Sequence, residues 1–281
     1  MIKEYLKLLR VKHYIKNFLV FVPLFFEQKI FDFSKFEVDF WGCVGFCFIS
    51  SAVYILNDLK DIEMDQSHPT KRKRPLASGT INKQQAKILA IICLFSAVFC
   101  LIATSHLFVG LFFLCAYFLL NMIYTFGLKD KPVIDVIILA SGFIIRVFYG
   151  AMLTNTKVSV WLYLMVLAGS LYMGLGKRRN EMHQENNTRT VLKYYTYAFL
   201  DKNMYVCVTL VNVFYSLWAM EFNNSKMLWT VPLIIIILMK YSLTVEGNSD
   251  GDPVEVLLRD KILAFLVFSY ILFVFILLYV I

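Results

Sequence analysis

The stretch 37–56, EVDFWGCVGFCFISSAVYIL, runs without a break into 57–65, NDLKDIEMD. Its first part is long and apolar enough to cross the hydrocarbon of a bilayer, which takes about 20 residues of helix. Its second part turns abruptly acidic, with Asp58, Asp61, Glu63 and Asp65. A helix that leaves a membrane into a cluster of carboxylates points to an all-α membrane protein with chemistry at a helix end. The rest of the chain agrees. Of its 281 residues, 59% are apolar, 16% aromatic and 17% charged. An average soluble domain has roughly 45–50% apolar and about 25% charged residues. With a mean hydropathy of +0.65, a soluble globular enzyme, a disordered chain and a disulfide-rich secreted module are excluded.

Nine stretches are predicted to span: 15–31, 37–56, 86–104, 107–124, 133–153, 158–175, 203–221, 227–245 and 262–280. The first is the weakest, because Lys16 and Asn17 open it and Pro23 interrupts it. Only Ser105 and His106 separate the third from the fourth, so these two are expected to form an antiparallel hairpin. The runs are too long and too uniformly apolar for barrel strands, which alternate over about 10 residues. Five basic or acidic residues precede the first span and no small-residue cleavage site follows it, so the N-terminus does not read as a cleavable signal.

The charge of +8 (28 Lys+Arg against 20 Asp+Glu) is distributed unevenly. Loops 1–16, 57–85, 125–131, 177–202 and 246–261 hold 21 of the 28 cations, and the opposite loops hold Lys29, Lys35, Lys157 and Lys226. The positive-inside rule then puts the N-terminus in the cytoplasm and the C-terminus outside. One membrane domain, 1–281, is the simplest organisation. The six cysteines lie in predicted spans with no CxxC or Cys/His metal spacing, and read as small hydrophobes. The four histidines form no HxxxH or HExxH pattern.

If the second helix continues past the membrane surface, Asp58, Asp61 and Asp65 share one face within about 60° of one another, with Asn57 beside Asp61. Carboxylates crowded this way repel unless a cation sits among them. Mg²⁺ suits them, being typically held by one or two carboxylates plus substrate phosphates. The alternative is a solvated acidic helix end. The run from Pro69 to Pro75 follows with Lys71, Arg72, Lys73 and Arg74. Acid followed closely by base is the pattern of a metal–diphosphate site, or else of a positive-inside anchor or a contact to anionic lipid.

Asn57-Asp58-x-x-Asp61-x-x-x-Asp65 resembles the NDxxDxxxD motif of the UbiA superfamily of intramembrane prenyltransferases. Several further stretches look like its decaprenyl-phosphate phosphoribosyltransferase branch. They are Arg10 with Lys16-Asn17-x-Leu19-Val20-Phe21, His68-Pro-Thr-Lys-Arg-x-Arg-Pro75, and Tyr124 with Leu128-Lys129 and Asp135. Ser141-Gly-Phe-x-x-Arg146, Gly176-Lys177-Arg178, Asp252-Pro253 and Leu258-Arg259-Asp260 complete them. The resemblance runs from about residue 5 to 265. It implies a helical bundle with a cytoplasm-facing active site.

Other charged positions carry their own arguments. Arg146 follows Asp135 by eleven residues, which is about 20° past three turns and about 16 Å of rise, so the two share a face. An arginine at that depth costs roughly 2.5–3.5 kcal/mol or more unless it faces a polar cavity. It reads either as a phosphate ligand in such a cavity or as half of a buried ion pair. Lys16, Asn17 and Lys129 are expected on the cytoplasmic rim. Tyr54, one turn before Asn57, faces the same way. Related aromatic-substrate enzymes carry a second Asp-rich motif where this chain has Lys177-Arg178-Arg179. That departure favours direct binding of a phosphate group. Asp252, Glu255 and Asp260 read as loop and cap residues.

The resemblance therefore implies Mg²⁺-dependent transfer of phosphoribose from 5-phosphoribosyl 1-diphosphate to a polyprenyl phosphate in the cell membrane. Asp58, Asp61 and Asp65 would be catalytic, holding the metal with Asn57. Substrate would meet Lys16, Asn17, Tyr54, Asn57, Lys71, Arg72, Arg74, Tyr124, Lys129, Asp135, Arg146, Lys177, Arg178 and Glu181. The expected partners are the two substrates and the bilayer, with no nucleic acid; a homo-oligomer is left open. One rival is prenylation of an aromatic acid or quinone precursor on the same fold. The other is a transporter without chemistry.

Overall fold

The structure, a computed structural model, describes residues 1–183, 189–222, 225–247 and 252–281. Part of the Gly/Ser-rich loop expected before Asp252 (residues 248–251) lies outside them. Every regular element among the described residues is helical. The N-terminus forms α1 (Ile2–Leu8), a 3₁₀ helix (Val11–Phe21) and α2 (Val22–Phe26). Then come α3 (Phe33–Lys60), α4 (Ile62–Ser67), α5 (Lys83–Ile102), α6 (Leu107–Thr125) and α7 (Ile134–Thr154). They are followed by α8 (Val160–His183), α9 (Tyr197–Glu221), α10 (Val231–Glu246), α11 (Pro253–Arg259) and α12 (Lys261–Tyr279).

Eight helices among the described residues are long and apolar enough to cross a membrane. They correspond to the eight stretches expected from residue 37 onward. The ninth, 15–31, is not one long helix. It is an eleven-residue 3₁₀ helix followed by a five-residue α-helix with a proline in its first turn. Runs of 3₁₀ helix beyond three or four residues are uncommon, because their hydrogen bonds are poorer than those of an α-helix. Here polar groups of α3 compensate. The sixth span also runs further than expected: α8 continues to His183, so Lys177, Arg178 and Arg179 sit on helix.

The chain divides into two compact units: 1–138 with 145–157 and 186–190, and 139–144 with 158–185 and 191–281. In the first, α3 packs along α5, α6 and the 3₁₀ helix. Its core joins Val20, Phe46, Leu101, Tyr117, Tyr149 and Leu153. Phe46 meets Tyr117 at 4.8 Å and Tyr149 at 5.3 Å between ring centroids. The 3₁₀ backbone lies directly on α7. A Cβ at Gly150 would stand 1.9 Å from the Val20 carbonyl oxygen, so only glycine fits there. The α5–α6 hairpin forms as expected, turning on Ser105 at φ 57°. Asn82 and Gln85 start α5 with a reciprocal capping box. Phe95, Phe99 and Phe108 are more than two-thirds exposed, the surface that hydrocarbon covers in an integral membrane protein. Asp39 is fully buried in α3 with neither carboxylate oxygen hydrogen-bonded.

In the second unit α8 pairs chiefly with α9, and α10 with α12. Asp252 and Asp260 cap α11 and α12, accepting from Val254 N at 3.0 Å and from Ile262 N and Leu263 N at 3.1 and 3.0 Å. Glu255 lies in the first turn of α11, 3.7 Å from Arg259. Asp260 also accepts from Lys240 at 2.7 Å and Thr244 at 2.6 Å. The hydrogen bonds from Lys240, Thr244 and the Leu263 N–H hold its carboxyl below the ordinary value.

Candidate active site

The acidic motif sits where α3 ends. Asn57 and Asp58 occupy its last turn, Asp61 is the residue between α3 and α4, and Asp65 lies on α4. The expected continuous helix is therefore interrupted at Asp61, at φ −98° and ψ 12°. The hydrogen bonds from Asp61 N to Asn57 O (3.1 Å) and from Asp65 N to Asp61 O (2.8 Å) carry the helical path across the break.

The three carboxylates do not converge on one point. Among the described residues, no three His, Cys, Asp or Glu side chains are placed to hold a metal by themselves. Each carboxylate is drawn instead to a fixed cation. Arg10 Nη2 donates to Asp58 Oδ1 at 2.6 Å, and Arg74 Nη1 bridges Asp58 Oδ1 at 3.1 Å and Asp65 Oδ2 at 2.7 Å. Lys129 Nζ donates to Asp61 Oδ1 at 2.7 Å. Asp58 and Asp65 are buried. Burial pushes the Asp65 carboxyl above its ordinary value, and Arg74 only partly counters it. For the Arg10 guanidinium, burial works against the charge, but Asp58, together with Tyr54 and Asp65, outweighs it and the pKa is raised. Arg10 also lies 4.6 Å above the Tyr54 ring. The Thr125 hydroxyl, which donates to Asn121 O at 2.8 Å, stands 3.3 Å from Asn57 Oδ1.

Residues 28–265 fit the UbiA prenyltransferase family. The chain belongs to that family. It is 32% identical to the decaprenyl-phosphate phosphoribosyltransferase of Mycolicibacterium smegmatis, over 95% of this chain and 89% of that protein. The enzyme of the same name from Corynebacterium glutamicum is also 32% identical, over 95% of this chain and 84% of that protein. A solved UbiA homologue from Archaeoglobus fulgidus, bound to DMAPP and Mg²⁺, has the same fold. Its TM-score is 0.72 at 17% identity, covering 99% of this chain and 100% of that one.

The remaining residues expected in this UbiA chain's site fall into three groups. Lys71 and Arg72 lie on a 3₁₀ turn (Lys71–Lys73) just before Arg74. Tyr124 at the end of α6 accepts a hydrogen bond from Arg189, and Thr190 donates to Asp130 in the turn that carries Lys129, so two consecutive residues hold both. Asn17 and Arg146 lie together in the core: Arg146 Nε donates to Asn17 Oδ1 at 2.8 Å and Nη2 to Tyr117 Oη at 3.2 Å. The Arg146 guanidinium lies 4.8 and 4.9 Å from the Phe46 and Tyr117 rings. Asp135 is fully buried in the first turn of α7, and Lys16 is half-buried on the 3₁₀ helix.

Lys177, Arg178 and Glu181 belong to the second unit. Fully buried Arg178 pairs with Glu181 at 2.7 Å, Arg179 with Asp201 at 2.6 Å and Lys177 with Asp252 at 3.5 Å. Arg10 was missing from the expected site residues. It stands in the stretch that carries the family resemblance, but as one of four cations before the first apolar run it reads as topology. Nothing in its spacing announces the pairing with Asp58, 48 residues on.

Proposed function

We propose that the protein transfers 5-phosphoribose from 5-phosphoribosyl 1-diphosphate to a polyprenyl phosphate, releasing diphosphate, at the cytoplasmic face of the cell membrane. The near full-length match to decaprenyl-phosphate phosphoribosyltransferases carries this reading. A 4-hydroxybenzoate octaprenyltransferase of Neisseria meningitidis, at 31% identity, aligns with only 42% of the chain. The cytoplasmic placement rests on the 21 of 28 cations gathered in one set of loops. The product would serve as a precursor of cell-envelope glycolipid. We also read both units as parts of one transferase domain, since the family match of 28–265 includes residues of each.

In this reading an oxygen of the lipid phosphate attacks C1 of the ribose. The C1–O bond breaks, and its electron pair leaves with the diphosphate. The attacking group is already ionised at neutral pH, so no general base is needed. What the site must supply is position and positive charge. Arg10, Arg74 and Lys129 stand at the acidic patch, with Lys71 and Arg72 on the adjoining turn. Their donors are available to phosphate oxygens once the carboxylates take another cation. Asn57 and Tyr54 would orient the sugar diphosphate.

The patch fits Mg²⁺. Its donors are hard carboxylate and amide oxygens, and a single Arg74 nitrogen already bridges two of them. Carboxylates that do not close a cage by themselves suit an ion whose remaining ligands are phosphate oxygens and water. Asp58, Asp61 and Asp65, with Asn57, would hold the ion, and when bound it would neutralise charge on the leaving diphosphate.

The test is to incubate the purified protein with ribose-labelled 5-phosphoribosyl 1-diphosphate, a polyprenyl phosphate and Mg²⁺. Label in the lipid extract, at the mass of a phosphoribosyl lipid, is the expected result. Transfer seen only from a prenyl diphosphate to an aromatic acid would replace this reading with aromatic prenylation. No product from either pair would leave the transporter reading.

A further inference from the structure

One face of α3 is a polar seam. Cys43, Cys47, Ser51 and Asp58 each contact the N-terminal segment 9–17. Ser51 Oγ donates to the Leu9 carbonyl at 2.9 Å, so Tyr14, whose hydroxyl is 2.7 Å from that oxygen, donates to Ser51. Lower down, Cys43 Sγ donates to the Asn17 carbonyl at 3.5 Å, and Asn17 Nδ2 donates to Cys47 Sγ at 3.1 Å. At the top, Arg10 meets Asp58. The 3₁₀ segment is a strap stitched to α3 from one end to the other.

Asn17 is the deepest of these stitches and also reaches α7, through Arg146 Nε at 2.8 Å. It is 1% exposed. Seven residues of 3₁₀ helix separate it from Arg10, about 14 Å at 2.0 Å per residue. The run of α3 from Cys47 to Asp58 is about 16 Å. Between the two ends Ser51 holds both Tyr14 and the Leu9 carbonyl, so the strap is tied to α3 from Asn17 up to the residue before Arg10. At that depth its amide is too far away to touch a phosphate held at Asp58.

We propose that Asn17 is a positioning residue: it sets the register of the strap along α3 and α7 and thereby keeps the Arg10 guanidinium on Asp58. This replaces direct substrate contact as the role of Asn17. It makes Arg146, which lies against the Phe46 and Tyr117 rings, the anchor that the strap is hung from. Slippage by one residue would carry Arg10 about 2 Å along the strap, enough to break a 2.6 Å ion pair.

The assignment rests on the phosphoribosyl-transfer reading for its kinetic half only. Asn17→Ser, Arg10→Ala and the double variant are compared for kcat/KM toward 5-phosphoribosyl 1-diphosphate. Asn17→Ser alone should lose about tenfold, whereas in the Arg10→Ala background it should change the rate by less than about twofold, because its effect passes through Arg10. Losses that multiply would overturn the proposal. Asn17→Asp keeps an acceptor for Arg146 and should recover most of the loss; a variant as slow as Asn17→Ser would count against the register role.

The second half needs no substrate. Amide hydrogen exchange in detergent should speed at least tenfold across Tyr14–Lys16 in Asn17→Ser and stay unchanged there in Arg10→Ala. Unchanged exchange in Asn17→Ser also overturns the proposal. Wild-type protein that transfers no phosphoribose would sink the transferase reading, and the exchange measurement would still decide the strap.

Discussion

The acidic patch after α3 and the buried Arg178 of α8 both balance their charges, but over different lengths of chain. Asp58, Asp61 and Asp65 take cations from Arg10, Arg74 and Lys129, as far as 68 residues away in sequence. Arg178, by contrast, is neutralised within its own helix by Glu181, one turn on, at 2.7 Å. A patch neutralised by side chains from separate elements can exchange those partners for a substrate and its metal without unfolding anything. A pair built into one helix turn, with its arginine fully buried, is locked by the helix itself. The first arrangement suits a reacting site and the second a structural post.

The largest expected effect tests the first half of that contrast. Asp61→Asn should cut phosphoribosyl transfer by at least 100-fold, about 2.7 kcal/mol of transition-state stabilisation, while thermal unfolding in detergent stays near wild type. Near-normal transfer would remove the metal role. Arg178→Ala tests the other half. It strips a fully buried cation from Glu181 and should cost roughly 3 kcal/mol of stability, read as a fall in Tm with or without substrate. A stable variant with a raised KM would make Arg178 a substrate ligand and erase the contrast.

Lys177→Ala, which breaks a part-exposed 3.5 Å pair with Asp252, should cost at most about 1 kcal/mol. A larger loss would extend the locked behaviour to the whole triplet. The smallest effect concerns Asp260. Its carboxyl is held below the ordinary value, so its contribution to stability is complete at neutral pH. That contribution is lost as pH falls from about 4, the unfolded value, through the lowered one. The Tm gap between wild type and Asp260→Asn should therefore be full at pH 7 and shrink below about pH 4. A gap that persists in acid would mean that capping geometry alone, not charge, holds α12.

Much of this was legible in the chain. Eight helices could be read from runs of apolar residues, because hydrocarbon imposes a length and an all-round apolarity that need no knowledge of neighbours. Asp252 and Asp260 could be read as caps, because capping is local. The first span was misread for the opposite reason. Residues 15–31 are apolar enough for a helix, but the Asn17 carbonyl there bonds Cys43 of α3, and α7 accepts the backbone at Val20 only because residue 150 is glycine.

By itself the sequence determined the helical class, the order of the spans, the acidic motif and the family, because each is carried by residues close together or at fixed spacing. Only the tertiary structure decided which cation meets which carboxylate. It alone showed that Arg10 belongs to the patch, that Arg146 meets Asn17 and two aromatic rings, and that the first crossing is a strap. Those outcomes depend on side chains that are 9 to 129 residues apart in the chain and within 5 Å in space. No periodicity along a chain encodes such distances; packing does.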